Sequence, residues 1–136
     1  MKLEEINRTI AEKCGWRIEQ CGAAWVLRKP PEDRVVSSGH RADHDIKTLA
    51  DYQKVFYAKN CLPDYYHDLN AVHEAESALP AAKRTGSEGY LHQLWAVVAR
   101  AGVPGMESTW HIAHATAPQR CEALLRTWGL WKVVEE

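Results

Sequence analysis

Phenylalanine is nearly missing from this chain: one residue in 136, against six tryptophans and five tyrosines. Most of its rings therefore carry a polar handle, which suits cores, interfaces and flat ligands alike. No apolar run approaches ~18 residues, so no membrane-spanning helix is expected. The opening stretch "MKLEEINRTIAEKCGW" has no apolar segment behind basic residues and does not read as a secretory signal. The four cysteines, Cys14, Cys21, Cys61 and Cys121, form no C-x-x-C pair. Reduced thiols in a cytoplasm are the expectation that follows. An excess of charge of one sign is also absent, with a formal net charge of -1 and no run of Lys or Arg. Duplex nucleic acid finds no basic stripe to follow, whereas a small anion needs only two or three arginines. Neither a G-x-S-x-G elbow nor a phosphate-binding glycine loop is present, and no cysteine has an evident histidine partner.

What is there is ordinary globular material, 46% apolar and 26% charged, in a length that fits one domain over 1–136. Leu3, Ile6, Ile10 and Cys14 repeat at helical spacing up to a Gly15 cap. Trp16–Gln20 and Ala24–Arg28 read as a hairpin around Cys21-Gly22, stopped by Pro30-Pro31. A short strand is expected at Val35–Ser37, followed by the loop "SSGHRAD". Asp45 then caps a helix with Ile46, Leu49, Phe56 and Tyr57 on one face, in a segment, 43–60, that reads as an insertion. Pro63 and Asp64 start a helix running from Tyr65 to Leu79. "AAKRTGSEG" is a linker, with Thr85 and Glu88 as a possible capping box. It leads into a helix over Glu88–Ala101 that carries Leu91, Leu94, Trp95 and Val98 on its apolar face. "GVPGMES" breaks that helix, and Thr109–Ala113 reads as a strand. In the last helix Thr116 and Gln119 form a capping box, Pro118 fits the first turn, Gly129 ends it, and Cys121, Leu124, Leu125 and Trp128 are buried. The fold class is α+β, a small and mostly antiparallel sheet flanked by helices.

Chemistry concentrates in "PDYYHDLNAVHEAESAL", Pro63 to Leu79. Tyr65, Leu69, Val72 and Leu79 fall along one side of the cylinder with Glu76 among them, and Tyr66 and His73 lie on the flank. His73 and Glu76, three apart, suit two metal ligands or an acid/base pair. A zincin H-E-x-x-H pattern, however, requires histidine where Ser77 stands, and His40, His44, His111 and His114 complete no recognised ligand spacing. No metal and no cofactor are therefore expected. A carboxylate in an apolar stripe needs a partner. Arg120, bordering the apolar face of the last helix, is the best candidate, while Arg126 points away from that face toward solvent, a partner or a ligand. Asn70 is a poor interior helix residue; it bonds a neighbouring loop or, with His67, Asp68 and Glu74, rims a polar pocket. Trp95 and Trp128 sit at core positions. Trp16, Trp110 and Trp131 lie at element ends, where rings more readily stack on a ligand or partner.

Taken together and in order, "EEINRTIAEKCGW", "GHR", "PDYYHDLNAVHEAESAL" and "ATAPQRCEALLRTWGLW" resemble the phage α-β-α sandwich domain, a family of small bacteriophage and prophage proteins. The chain is similar, more loosely, to the anti-Thoeris sponge proteins of phages, oligomeric proteins that sequester cyclic ADP-ribose-type signals without degrading them. The resemblance implies an α-β-α sandwich, a homo-oligomer and a nucleotide-type ligand. In such proteins arginines hold phosphates, aromatic rings stack on the base and polar residues take the ribose hydroxyls; here Arg120, Arg126, Asn70 and His73 are the residues to test, with Tyr66 and Trp16 as further ligand-binding candidates. The segment 43–60 departs from shorter family members. Two other readings stay open: an enzyme using His73 and Glu76, and a non-catalytic interaction protein.

Overall fold

The computed structural model describes residues 1–56, 62–100 and 112–133. Among them are three strands and six helices, and these residues group into two compact units, Asn7–Pro63 and Met1–Ile6 with Asp64–Glu136. The α+β class holds, with a small sheet that is antiparallel throughout. Tyr57, Cys61, Trp110, His111 and the "GVPGMES" break lie outside the described residues.

The first helix, α1 (Leu3–Cys14), begins in the second of these units and ends in the first. Gly15 (φ +103) closes it, its N–H donating to the Glu12 carbonyl while the Trp16 N–H donates to Ala11. That pair of bonds is a Schellman cap. β1 (Arg17–Cys21) and β2 (Ala24–Lys29) follow as the expected hairpin, with Gly22 (φ +61) supplying the left-handed backbone that a two-residue turn requires. β3 (Arg34–His40) is longer than the strand expected at Val35–Ser37 and completes the order β1-β2-β3. Its extension is held by Gly39, which pairs with Trp25. A Cβ on Gly39 would stand 2.6 Å from the indole, so only glycine lets the Trp25 ring lie across that strand.

Thr48, rather than Asp45, caps α2 (Leu49–Phe56). The Thr48 hydroxyl accepts from the Asp51 N–H, and the Asp51 carboxylate accepts from the N–H groups of Thr48 and Lys47. These bonds, that from Lys47 foremost, hold the Asp51 carboxyl below its ordinary value. Asp45 instead pairs with the Lys47 ammonium at 3.7 Å. Trp25, Tyr52 and Phe56 meet with ring centroids 5.2–5.8 Å apart, and Leu27, Ile46 and Leu49 are buried in the same unit.

The other unit is helical. α3 (Leu69–Ser77) starts four residues later than the sequence suggests. Asp64 first organises a turn, its carbonyl accepting from the His67 and Asp68 N–H groups and its carboxylate reaching His67 Nδ1 at 3.0 Å. Asp68 then caps the helix through the Asn70 and Ala71 N–H groups. With the start moved, Leu69 sits in the first turn and is exposed, while Tyr65, Val72 and Leu79 are buried as expected. The supposed linker holds a short exposed helix, α4 (Ala81–Arg84). No Thr85–Glu88 box follows; a tight turn ends at Gly89, where a Cβ would stand 2.2 Å from the Thr85 carbonyl oxygen.

In α5 (Tyr90–Arg100) the buried row is Tyr90, Leu94, Val97 and Val98. Leu91 and Trp95, read from sequence as part of the apolar face, form the neighbouring row and are exposed. Residues 112 and 113 are helical rather than the end of a strand. α6 (Ala117–Thr127) carries the expected capping box of Thr116 and Gln119, and Gly129 (φ +72) closes it with a second Schellman cap, in which the Leu130 N–H donates to the Leu125 carbonyl. Cys121, Leu124 and Leu125 are fully buried, whereas Trp128 is half-buried.

Candidate functional site

α3, α5 and α6 together position the ionisable residues. Val72 and Ala75 on α3, and Leu79 just past its end, turn inward, which carries Glu76 to the edge of the buried face with 18% of its side chain exposed. Arg120, in the first turn of α6, is 6% exposed. Its Nη1 lies 3.1 and 3.0 Å from the two carboxylate oxygens of Glu76. Arg120 Nε donates to the Ala115 carbonyl at 3.1 Å, and Nη2 donates to Ile112 at 2.9 Å and Ala113 at 3.5 Å. Every nitrogen of this guanidinium is engaged, and one side chain ties α3 and the residues ahead of α6 to a single charge.

His73 stands over the bridge from the solvent side, half exposed, with Nδ1 3.3 Å from Glu76 Oε1. Tyr90 reaches the same charges from α5. Its hydroxyl is buried and meets no hydrogen-bond partner among the described residues. Burial, reinforced by the Glu76 carboxylate and opposed by Arg120, pushes the Tyr90 hydroxyl far above its ordinary value. Nothing in the sequence marks Tyr90 as part of this group; it opens a regular amphipathic helix. Cys121, adjacent to Arg120, donates its thiol to the Tyr65 carbonyl at 3.2 Å, and burial chiefly, then the negative charges of Asp64 and Glu76, push it up to about 12.

The remaining residues singled out from sequence divide between this cluster and other places. Asn70, in the first turn of α3 rather than its interior, is exposed, and its N–H donates to Asp68. Tyr66 is half-buried in the preceding turn, its ring 5.2 Å from that of His67. Trp16 belongs to the other unit, buried, with the Lys29 ammonium 5.9 Å from its ring centroid. Arg126 lies off the buried face with 36% of its side chain exposed, and it is engaged rather than simply solvated. Its Nε donates to Glu122 at 2.7 Å, a carboxylate shared with Arg100 of α5, and its guanidinium lies 5.7 Å from the centre of the Trp131 ring.

A shallow cavity of about 200 Å³ in the sheet-bearing unit is lined by Lys29, Pro30, Pro31, Glu32 and Arg34, and shares with the preceding residues only Lys29, the cation over Trp16. Among the described residues, no three His, Cys, Asp or Glu side chains gather as metal ligands, and no helix is long and apolar enough to cross a membrane. Comparison with protein-family models, with curated proteins and with solved structures gives no match.

Proposed function

We propose that this is a phage-encoded protein that binds a small nucleotide-type ligand and holds it without chemical change, with the exposed flank of α3 as its recognition edge. In this reading it acts as a homo-oligomer in the cytoplasm of an infected cell, sequestering a cyclic nucleotide or cyclic ADP-ribose-type signal. The supporting observation is the state of Glu76. Both of its oxygens are occupied by Arg120, so the carboxylate nearest His73 is committed to a structural bridge. On α3 and in the turn before it stand groups of the kind a binder uses: the exposed Asn70, the half-exposed His73 imidazole and the half-buried Tyr66 ring. Polar groups of that kind take ribose hydroxyls, and a ring takes a base.

The test incubates the full chain with a panel of cyclic nucleotides and cyclic ADP-ribose isomers, removes free ligand by filtration, heats, and identifies what is released. Recovery of unchanged ligand, weakened in Asn70→Ala and His73→Ala, is the expected result. Retention of none of the panel sinks the proposal. The 3.3 Å contact of His73 with Glu76 favours one alternative, an acid/base enzyme. Its signature is a chemically altered ligand in that assay, with turnover lost in a folded Glu76→Gln variant.

A further inference from the structure

Arg100, Arg126, Glu122 and Trp131 form a second charged cluster, built on the opposite principle to the Arg120 bridge. From Glu122 to Arg126 is one turn of α6, the orientation that favours an ion pair. Arg100 arrives from the last turn of α5 onto the same Glu122 oxygen. Two guanidinium groups thus share one carboxylate, leaving one positive charge in excess. Among the described residues, Arg126 spends only Nε and Arg100 only Nη2. A guanidinium has five N–H donors, so among the described residues most donors of both partly exposed forks are unspent. Glu122 is 15% exposed, against 57% for Arg100 and 36% for Arg126, which puts the anchor beneath the donors.

Trp131 completes the arrangement by lying against the Arg126 guanidinium, which restricts its rotamers. The ring itself is held on both sides along the chain. Before it, the Leu130 N–H donates to Leu125; after it, the Met1 ammonium donates to the Val133 carbonyl at 2.7 Å.

We infer that Arg100 and Arg126 form an oxyanion site for the phosphate group of a small phosphate ester, preorganised by Glu122 and Trp131. Paired, pre-oriented guanidinium forks match a phosphate's several acceptor oxygens, and holding them in place beforehand lowers the cost of binding. The site is separate from the α3 flank. Six residues along α6 amount to about 9 Å of rise and about 120° of net rotation between Arg120 and Arg126.

Inorganic phosphate is the probe, added to the 15N-labelled full chain and followed through the Nε resonances of Arg100 and Arg126 and the indole resonance of Trp131. Sodium chloride at matched ionic strength is the control. Saturable shifts with phosphate and none with chloride are expected. Arg126→Lys, which keeps the charge and removes the fork, should weaken the phosphate response on the order of fivefold; Arg126→Gln should abolish it at Arg100. Shifts that grow linearly and equally with both salts, or saturation unchanged in Arg126→Gln, overturn the site. Neither outcome touches the α3 proposal, which is read by nucleotide retention.

Discussion

Arg120 and Arg126 stand on one helix and do opposite things. Arg120 is buried with every nitrogen bonded, to Glu76 and to three carbonyl groups. Arg126 is partly exposed, anchored through one nitrogen and propped on a ring. A guanidinium satisfied on all sides is a structural tie with no capacity left for a ligand. One that is fixed at a single edge has its remaining donors both available and oriented. The same residue type therefore separates into fastening and recognition by how many of its donors the fold consumes, and this count, more than charge, decides where an anion could be held.

The comparison is broken most directly by removing the fastening. Arg120→Ala leaves Glu76 without its counter-charge and opens the bonds to Ala115, Ile112 and Ala113. Loss of one partner of a largely buried pair costs about 3–5 kcal/mol, read as a fall in the urea unfolding midpoint. Replacing both partners, Arg120→Met with Glu76→Leu, should recover much of that loss, because an apolar pair of similar volume substitutes well for a buried ion pair. A single variant that loses less than ~1 kcal/mol would class the bridge with surface pairs.

A pH series tests the same region from another side. The folded Cys121 thiol keeps its proton up to about 12, against 9.0 for the ordinary thiol. Between those values the unfolded chain binds fewer protons than the folded one, so stability declines as pH rises. The contribution is intact below about 9, and the decline is at most about 1.4 kcal/mol per pH unit for one group. Unfolding midpoints across that window should fall more steeply in the wild type than in Cys121→Ala. The buried Tyr90 hydroxyl adds to the alkaline decline in the same direction, its proton also being retained by the fold. At neutral pH the Tyr90→Phe variant should unfold within ~1 kcal/mol of the wild type or above it, since it removes a buried hydroxyl that meets no hydrogen-bond partner among the described residues. A larger loss would assign that hydroxyl a bond.

The sequence carried the local rules well and the rotational ones less well. Both Schellman glycines, the Thr116 capping box and the hairpin follow from residue type and spacing, because each depends on bonds within a few residues. The pairing of Glu76 with Arg120 was also legible, since a carboxylate in an apolar stripe demands a cation and only Arg120 borders the facing stripe. Where two residues or rows offer the same local signal, spacing does not choose between them. Asp64, Asp68, Asp45 and Thr48 all offer N-cap oxygens, and spacing alone does not say which wins; choosing Asp64 over Asp68 put Leu69 in the core and Asn70 in a helix interior. On α5, rows 90-94-97-98 and 91-94-95-98 are both apolar at helical spacing, and the structure buries the first while Leu91 and Trp95 stay exposed. The Arg100–Glu122–Arg126 cluster is not legible in the sequence, because its members come from two helices whose relative rotation no local pattern encodes.

The smallest effect completes the contrast. Arg126→Gln removes an exposed guanidinium from a pair with Glu122 and from the Trp131 ring, leaving Arg100 to hold the carboxylate. Surface ion pairs of this kind contribute about 0–1 kcal/mol, so the unfolding midpoint should move little, and less again in high salt. If Arg126 is a recognition residue, the variant folds and melts almost as the wild type while its phosphate response vanishes. Should it instead lose as much stability as Arg120→Ala, the two arginines do the same job. The open donors around Arg126 would then be incidental to a second fastening between α5 and α6.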